Sequence, residues 1–508
     1  MAKKIKDAPA DNQVDIFKPI NEKTGNIYTE EQQEFIEFKS KKSVILAATA
    51  GSGKTFSSIH RLKKLLERGV DPSKMIFFSF TKAATEELKK RVSKEVSKMN
   101  VSRSKADQID ADKLKITTIH SYCASVLFKT GNGRPITLFF EFIDWYKKKF
   151  KPSNSDSPKT KDEYFSSIDR LYDEFDFLSS AIGAFKLQQA DGIKAMVPNF
   201  FMQYVQFQKE KKKMDFSDML IRVRDLFKQD KWLKMFKNKY EYIFIDEYQD
   251  TSTIQLQILL SLNAKYYYLI GDRNQSIYGY SGSNCQMLES MVRERRETKE
   301  MSLSVNFRSD MAIIENSNKY SSLKAVSNSK EEGFVNKDIL CSLEDLVKIL
   351  KRKDEVAVLV RTNSVIKKLE LELLKMKFPM RYFNYISETE ISSFEKKGEI
   401  NTITKMKLDK LKKYIGSAKE VFDFIKSNKN SNKLITTIHK SKGREFEFCV
   451  IVNSIAPDVL KYNGIVGLTK KQLKKISFKL DDQDEEPKNI HYVGVSRAKH
   501  GNYFMAYE

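Results

Sequence analysis

The chain has 508 residues and a formal net charge of +23, because 90 lysines and arginines outnumber 67 aspartates and glutamates. Its length predicts about three or four domains, and its positive charge suits a phosphate-rich partner such as a nucleic acid. No apolar run approaches the roughly 18 residues that span a bilayer, which argues against a membrane protein.

Residues 1–20 read as a flexible N-terminal tail. The opening segment MAKKIKDAPADNQVD lacks the apolar stretch that a secretory signal needs. The cysteines Cys123, Cys285, Cys341 and Cys449 are scattered and form no CxxC pair. These features predict a protein of a reducing cytoplasm, either bacterial or that of an infected host, without a structural zinc ion or an iron–sulfur cluster.

The segment AATAGSGKT at positions 47–55 has the spacing of a phosphate-binding loop, although Ala48 replaces the first glycine of the general pattern. The apolar run Ser43–Ala48 predicts a strand, and the segment after the loop has helical spacing up to Gly69. Backbone N–H groups of such a loop hold phosphate at a helix N-terminus, while the lysine reaches the outer phosphates and the threonine ligates magnesium. ATP and Mg²⁺ are therefore the predicted cofactors. The predicted nucleotide-binding residues are Ala50, Gly51, Ser52, Gly53, Lys54 and Thr55, of which Thr55 would also contact the metal.

Two acidic residues, Asp246 and Glu247, follow the buried-looking strand Tyr242–Ile245. Asp246 suits the coordination shell of a metal ion. Glu247 can polarise the attacking water, because phosphoryl transfer asks the protein mainly for positioning and charge. Acidic pairs often only cap a strand end, but a position downstream of GSGKT favours the catalytic interpretation.

Nine further segments follow one another in an order that is typical of one family. They are YTEEQQEFI (28–36), SFTKAATEELKKR (79–91), ITTIHSY (116–122), DFSDML (215–220), LIGDRNQSIYGYSGS (269–283), VNFRSD (305–310), VAVLVRTNSVIKKLELEL (356–373), ITTIHKSKGREFEFCVIVNS (435–454) and HYVGVSRAKHG (491–501). With these segments the chain resembles the superfamily 1 DNA helicases of the UvrD/Rep type along most of its length.

The resemblance implies a binding site for the adenosine part of ATP. Gln32 stands where the family reads adenine, Phe307 where it stacks an aromatic ring on the base, and Glu445 where it contacts the ribose or the nucleotide. One departure concerns this side of the site. The family often has arginine directly after GKT, whereas this chain has Phe56.

The resemblance also implies three residues that respond to the γ-phosphate. Gln275 would sense it, and Arg308 and Arg497 would reach it from the second motor domain as arginine fingers. Such a finger is worth about 10³ to 10⁵ in turnover. With Glu247, these residues form the implied catalytic set.

The family's DNA-contacting motifs fall on Thr81, His120, Tyr278, Tyr280 and His439. Aromatic faces stack bases without reading the sequence, at about 1 to 3 kcal/mol per base. The alternative is that tyrosines and histidines in apolar segments are core residues, and for His120 and His439 both readings stay open.

Two of these motifs depart from the family's pattern. The chain has Tyr280, Ser281 and Gly282 where the family usually has Trp-Arg-Gly, so one cationic contact is missing. The motif at Thr81, Lys82 and Ala83 is one residue shorter than usual.

The predicted fold class is α/β, with two RecA-like P-loop motor domains built on parallel sheets. Each motor domain is interrupted by an insertion, which is helical in the first and reduced in the second. The predicted ranges are 21–120 and 215–305 for the first motor domain, 121–214 for its insertion, 306–383 and 432–508 for the second motor domain, and 384–431 for the reduced insertion.

The resemblance implies an ATP-dependent helicase that moves 3′ to 5′ on single-stranded DNA and unwinds duplex junctions, with replication or repair proteins as further partners and no membrane. Two alternatives stay open. One is a translocase that displaces or loads proteins without unwinding. The other is a nucleic-acid-binding module whose ATPase has decayed. RNA as the track is also not excluded by the motifs.

Overall fold

The computed structural model describes residues 27–104, 107–137, 139–153, 157, 182–183, 186–187, 201–278, 283–382, 385–386, 391–392, 394–395, 398, 402–453 and 486–507. The predicted tail at 1–20 and the predicted DNA contact Tyr280 lie outside these ranges. Among the described residues, no helix combines the length and the apolar character that crossing a membrane requires.

The first half of the chain forms a six-stranded sheet in which all neighbouring strands are parallel. Its four inner strands are nearly continuous apolar runs, as expected where helices cover both faces of a sheet, whereas the edge strands at Lys115–Thr118 and Thr298–Leu303 are more polar. The strands are β1 (Ser43–Ala48), β2 (Met75–Ser79), β3 (Lys115–Thr118), β4 (Tyr242–Asp246), β5 (Tyr266–Gly271) and β6 (Thr298–Leu303).

The strand order β3-β2-β4-β5-β1-β6 brings the predicted site residues to one edge. Ala47 of β1 pairs with Gly271 of β5, and Asp246 of β4 pairs with Ile270 of β5. Because the carboxyl ends of parallel strands meet at the same edge, the loops after β1, β4 and β5 lie side by side.

Helices cover both faces of this sheet. Ile45 packs into the core on one face, whereas Val44 and Leu46 pack into the core on the other, because successive side chains of a strand point to opposite sides. The helices of this half are Glu30–Glu37, Lys54–Glu67, Lys82–Asn100, Ile119–Lys129, Phe139–Lys149, Phe201–Lys211, Phe216–Phe227, Asp230–Leu233, Thr253–Ser261 and Cys285–Arg295, with single 3₁₀ turns at Pro72–Lys74, Ala111–Lys113, Tyr248–Asp250 and Arg273–Gln275.

The predicted boundary at residue 121 divides the helix Ile119–Lys129. The buried residues of this helix, such as Val126 and Leu127, pack with Val223 of the helix Phe216–Phe227 in the core of the first motor domain. A separate small cluster contains Phe142, Ile143, Ile182, Tyr204 and Phe207. The described part of the helical insertion therefore has apolar packing of its own.

The second half of the chain forms a five-stranded parallel sheet with the order β11-β10-β12-β13-β9. The predicted α/β class with parallel sheets is thus confirmed. The strands are β9 (Phe334–Leu340), β10 (Val356–Val360), β11 (Lys433–Thr437), β12 (Phe446–Val452) and β13 (Ala498–Met505), and a short ribbon of β7 (Val305–Asn306) and β8 (Val326–Ser327) precedes them. The helices are Met311–Asn318, Leu343–Arg352, Asn363–Lys375, Thr402–Asp409, Lys412–Ile415, Ala418–Ser427, Ile438–Ser441 and Glu486–Val495.

The described part of the reduced insertion packs directly on the second sheet. Leu411, Phe422 and Ile425 belong to the same buried cluster as Val358 of β10 and Val450 of β12. This segment therefore shares the core of the second motor domain.

Candidate functional site

The loop after β1 has the backbone shape of a phosphate-binding loop. Gly51 and Gly53 both have left-handed backbones, with φ of 72° and 78°, and Gly53 directly precedes the helix Lys54–Glu67. A side chain at Gly51 would collide with the Asn306 amide, because a Cβ built there would lie 2.7 Å from Asn306 Nδ2. The loop thus presents backbone N–H groups at the positive end of a helix dipole, which is a ready anion-binding site.

Lys54 of this loop faces the acidic pair at the end of β4. Its Nζ lies 3.4 Å from each carboxylate oxygen of Glu247. Glu247 itself has a left-handed backbone, with φ of 51° and ψ of 44°. For a residue with a side chain such a conformation costs about 1–3 kcal/mol and concentrates at functional sites.

The two carboxylates have opposite electrostatic environments. Burial and the charge of Glu247 raise the pKa of Asp246 above its ordinary value. Burial would also raise the pKa of Glu247, but the charges of Lys54 and Lys442 outweigh it and lower that pKa. Glu247 is therefore held as the anion, and Asp246 is a buried acid that a cation nearby would stabilise in its charged form.

This donor set fits magnesium. The Asp246 carboxylate at the end of β4 and the Thr55 hydroxyl in the first turn of the helix Lys54–Glu67 are hard oxygen donors, and Mg²⁺ commonly binds one or two carboxylates together with water and substrate phosphate. Among the described residues, no three His, Cys, Asp or Glu side chains form a cluster that could hold a metal ion alone.

The geometry reveals one buried site residue that the sequence prediction missed, Gln249. Gln249 is fully buried, and its Nε2 donates to Glu247 Oε2 at 2.5 Å. Its Oε1 accepts the backbone N–H of Asp272 at 3.1 Å. The only local signal is an amide side chain two residues after an acidic pair.

The second half of the chain contributes Arg497 to the same site. Arg497 is 2 % exposed, and its guanidinium donates to Gln275 Oε1 at 3.2 Å. Gln275 Nε2 in turn donates to Asp272 Oδ2 at 2.8 Å. Burial, and next the charge of Arg308, lower the pKa of Arg497 to about 10, so the guanidinium is still charged at neutral pH.

Arg308 lies beside the phosphate-binding loop. The backbone N–H of the preceding Phe307 donates to Gly51 O at 2.9 Å. The Arg308 Nε donates to Glu445 Oε2 at 2.9 Å, and its Nη1 donates to Ser496 O at 3.3 Å. The structure thus brings Arg308, Phe307 and Glu445 together.

The predicted adenine side of the site consists of a buried amide and aromatic rings, whereas the phosphate side consists of charged groups. The amide of Gln32 is buried, with its Oε1 accepting from Thr29 N at 3.2 Å and its Nε2 donating to Ser52 O at 3.3 Å. Phe56 packs against His60, with ring centroids 4.1 Å apart. Phe307 is 39 % exposed beside the loop. This side therefore has aromatic surface, and the Gln32 amide holds the loop in place.

Further contacts join the two sheets around this site. The Nζ of Lys442 donates to Asp250 Oδ2 at 2.5 Å and to Gln275 O at 2.7 Å. The Tyr492 hydroxyl donates to Asp272 Oδ2 at 3.1 Å and accepts the N–H of Ala50 at 3.4 Å. The site is therefore a composite of both halves of the chain.

The described residues among the predicted DNA contacts lie after the carboxyl ends of strands in both sheets. Thr81 is exposed, and its hydroxyl accepts from Ala84 N at 3.1 Å at the start of the helix Lys82–Asn100. The Tyr278 ring lies 5.6 Å from the His439 ring. The Nε2 of His439 lies 3.1 Å from Ile277 O, which can only accept, so this nitrogen carries the proton.

Two aromatic residues that the sequence prediction missed extend this group. Phe80 is 45 % exposed and lies 5.4 Å from Tyr278, and Phe216 is 54 % exposed and lies 5.4 Å from His120, measured between ring centroids. Exposed phenylalanines at a strand end and at a helix start were the available signal. We call the set Phe216, His120, Phe80, Tyr278 and His439 the aromatic row.

A cavity of about 90 Å³ links the aromatic row to the acidic pair. It is lined by Phe80 and His120 together with Asp246, Glu247 and Thr251, among others. Burial lowers the pKa of His120, so its imidazole is neutral at neutral pH. Residues of the aromatic row and of the acidic pair therefore line the same cavity.

Comparison with known proteins supports one family. Residues 28–296 match the family model described as UvrD/REP helicase N-terminal domain, and residues 389–508 match the UvrD-like helicase C-terminal domain. The chain is 28 % identical over 382 residues to the ATP-dependent DNA helicase PcrA of Staphylococcus aureus (strain Mu50 / ATCC 700699). The aligned region covers 69 % of this chain and 50 % of the relative. The chain is 27 % identical over 369 residues to PcrA of Staphylococcus epidermidis, covering 66 % and 48 %.

The chain thus spans about half the length of the curated relatives it matches. The matched segments contain the phosphate-binding loop, the acidic pair and Arg497. The N-terminal match contains β1 to β5 of the first sheet and the C-terminal match contains β11 to β13 of the second, as expected for two RecA-like motor domains. Since the N-terminal family model alone covers more than half of the sequence, the chain belongs to the UvrD/REP helicase family.

Proposed function

We propose that the protein is an ATP-dependent DNA helicase that moves 3′ to 5′ along single-stranded DNA and unwinds duplex junctions. The observation that carries the proposal is the meeting of Lys54 and Glu247 from one sheet with Arg497 from the other around Gln275. A site divided between two domains can convert nucleotide binding and hydrolysis into relative domain motion. The family membership and the relatives' names support the same activity.

In this mechanism the phosphate-binding loop from Ala50 to Thr55 holds the phosphates, with Lys54 at the outer ones. Asp246 and Thr55 would hold magnesium, which when bound neutralises charge on the transferring phosphoryl group. Glu247 orients and polarises the attacking water. Arg497 and Arg308 stabilise the charge that develops in the transition state, and Gln275 senses the γ-phosphate between them.

The base of the nucleotide would lie between Phe307 and the region of Gln32, with Glu445 at the ribose. Single-stranded DNA would lie along the aromatic row, with Thr81 and Tyr280 as further contacts. Because the row crosses from the first sheet to His439 of the second half, closing and opening of the nucleotide cleft would shift the two groups of DNA contacts relative to each other. Alternating grip then gives net stepping.

We further propose that the protein acts in the cytoplasm with replication or repair proteins as partners. One structural feature favours a second candidate, a translocase that displaces or loads proteins on DNA without unwinding. The described part of the reduced insertion is packed into the motor core through Leu411, Phe422 and Ile425. It is therefore not a separate lobe that could engage a duplex.

The first test is ATP hydrolysis with and without single-stranded DNA, using Glu247→Gln as the control. Strong stimulation that the variant abolishes supports a DNA-driven motor. Absent hydrolysis contradicts the proposal and favours a binding module with a decayed ATPase, and hydrolysis that is indifferent to DNA contradicts a DNA-driven motor.

Strand displacement on duplexes with a 3′ or a 5′ single-stranded tail then tests unwinding and polarity. We expect unwinding from the 3′ tail alone. DNA-stimulated hydrolysis together with removal of a protein block, but without strand separation, would support the translocase.

A further inference from the structure

Both the nitrogen and the oxygen of the Gln249 side-chain amide form hydrogen bonds inside the site. It is fully buried in the single 3₁₀ turn Tyr248–Asp250 that follows Glu247. Its Nε2 donates to Glu247 Oε2 at 2.5 Å, and its Oε1 accepts from Asp272 N at 3.1 Å. A glutamine amide used in this way has a single orientation, since exchanging its two ends would set a donor against a donor.

The end of β5 leaves room for this amide. A Cβ added to Gly271 would overlap the Oε1 of Gln249 and would lie 2.7 Å from Tyr248 Cδ1. The amide is therefore fixed by packing against the backbone of the neighbouring strand as well as by its hydrogen bonds. Any side chain at position 271 would displace it.

Glu247 depends on this support. The described contacts of its carboxylate are Lys54, at 3.4 Å, and Gln249. Under the proposed function, on which this inference rests, Lys54 binds the outer phosphates of ATP. Gln249 is then the described side chain that continues to orient the Glu247 carboxylate toward the attacking water.

The other end of the Gln249 amide leads toward the second half of the chain. Asp272, whose N–H it accepts, receives hydrogen bonds on Oδ2 from Gln275 Nε2 at 2.8 Å and from the Tyr492 hydroxyl at 3.1 Å. Gln275 Oε1 accepts from Arg497 at 3.2 Å. A continuous series of hydrogen bonds, which passes through the backbone N–H of Asp272, thus connects Glu247 to Arg497.

We infer that Gln249 is a positioning residue that sets the orientation of the Glu247 carboxylate and couples it, through Asp272, to Gln275 and Arg497. Its amide does not touch the reacting atoms. It acts by holding the residue that orients the water, and residues that support a catalytic group in this way typically contribute about 10- to 100-fold to activity.

Two substitutions separate the ends of the amide. Gln249→Glu keeps an acceptor for the Asp272 N–H but replaces the donor to Glu247 with a carboxylate oxygen. Gln249→Met keeps the length of the side chain and removes both hydrogen bonds. Gln257→Met, on the half-exposed side of the helix Thr253–Ser261, is the matched control.

The measurements are kcat and KM of DNA-stimulated ATP hydrolysis, the Kd of a fluorescent ATP analogue, and the thermal unfolding midpoint. We expect kcat to fall about 10- to 100-fold in both Gln249 variants with the nucleotide Kd close to that of wild type, while the unfolding midpoint falls modestly because buried hydrogen bonds are lost. A purely structural role would instead weaken nucleotide binding and stability while leaving kcat of the bound enzyme unchanged. That outcome, or wild-type kcat in Gln249→Glu, overturns the inference.

A double-variant comparison tests the coupling. Gln249→Met combined with Arg497→Ala should lose less activity than the product of the two single losses, because residues in one hydrogen-bonded network do not act independently. Multiplicative losses contradict the coupling. An active wild type with indifferent Gln249 variants overturns this inference alone, whereas an inactive wild type overturns the proposed function and the inference with it.

Discussion

The guanidinium of Arg497 donates to Gln275 Oε1 at 3.2 Å, although 222 positions separate the two residues in the chain. Gln275 follows the end of β5 in the first sheet, and Arg497 directly precedes β13 in the second. Their contact therefore spans the cleft between the two halves of the site. A change in the separation of the halves therefore alters this contact.

Arg497→Ala should lower kcat of DNA-stimulated ATP hydrolysis by about 10³-fold or more, because an arginine finger is worth that much in related chemistry. Arg497→Lys should fall nearly as far, since a lysine cannot replace the several hydrogen bonds of a planar guanidinium. Steady-state kinetics at saturating DNA gives the result. A wild-type kcat in Arg497→Lys would show that the residue supplies only charge.

Lys54→Ala should abolish ATP turnover while leaving binding to single-stranded DNA largely intact. Lys54 faces Glu247 at 3.4 Å, whereas Phe80 and Tyr278 of the aromatic row lie on other loops. Hydrolysis and fluorescence anisotropy with a labelled oligonucleotide measure the two activities. Lys63→Ala on the same helix, where Lys63 pairs with Glu95, is the control, and normal turnover in Lys54→Ala would remove the site assignment.

Phe80→Ala and Phe216→Ala should each weaken binding to single-stranded DNA by about 1 to 3 kcal/mol, the usual contribution of a stacked base. Phe128→Ala is the matched control, because Phe128 is 85 % exposed but lies at the far end of the helix that begins beside His120. Anisotropy titrations at one fixed salt concentration compare the three variants. Equal affinities for all three would mean that the DNA does not follow the aromatic row.

The buried pair of Asp250 and Lys442 should respond asymmetrically to substitution. Their side chains are 0 % and 8 % exposed, and in the described structure Asp250 Oδ1 has no hydrogen-bond partner. Lys442→Met leaves the buried Asp250 carboxylate without its cation, which for a buried pair lowers the free energy of unfolding by about 3–5 kcal/mol. Adding Asp250→Asn removes the unpaired charge and should restore much of that stability. Thermal unfolding of the single and double variants measures this, and a double variant no more stable than Lys442→Met contradicts it.

The same carboxylate should give stability a defined pH dependence. Burial raises the pKa of Asp250 to about 6, although Lys442 opposes the shift. The folded protein therefore retains a proton that the unfolded chain releases between about pH 4 and 6, so this group's contribution to stability falls as pH rises through that window, by roughly 3 kcal/mol in all. The unfolding midpoint of wild type relative to that of Asp250→Asn should therefore decrease as the pH is raised from about 4 to about 6. A constant difference would contradict the assignment.

The inner strands of the sheets were largely predictable from the sequence, because buried parallel strands consist of nearly continuous apolar residues. The run predicted at Ser43–Ala48 is β1 to the residue, and the run at Tyr242–Ile245 is β4 except for its last residue. The predicted boundary at 121 lies within a helix whose Val126 and Leu127 belong to the buried cluster of the first sheet, and the domain ranges stay a prediction. Local sequence does not tell an insertion helix from a core helix when both are amphipathic.

The parts of the site that escaped prediction depend on distant neighbours. Gln249 gains its role from the Asp272 N–H and from the missing side chain at Gly271. Lys442 is one of several basic residues in its segment, and only the fold places its ammonium group against Asp250. Such roles are properties of pairs that are brought together by strand order, and a single segment does not encode them.

The short helices between β10 and β11 have a consequence for how this protein could be remodelled. Because Leu411, Phe422 and Ile425 cover the face of the sheet that carries Val358 and Val450, excising the segment would leave a water-exposed apolar face and an aggregation-prone motor. A larger lobe could be grafted into this region only if the grafted chain kept those three apolar anchors. The segment is thus part of the hydrophobic core of the motor, and it cannot be replaced by an unrelated sequence.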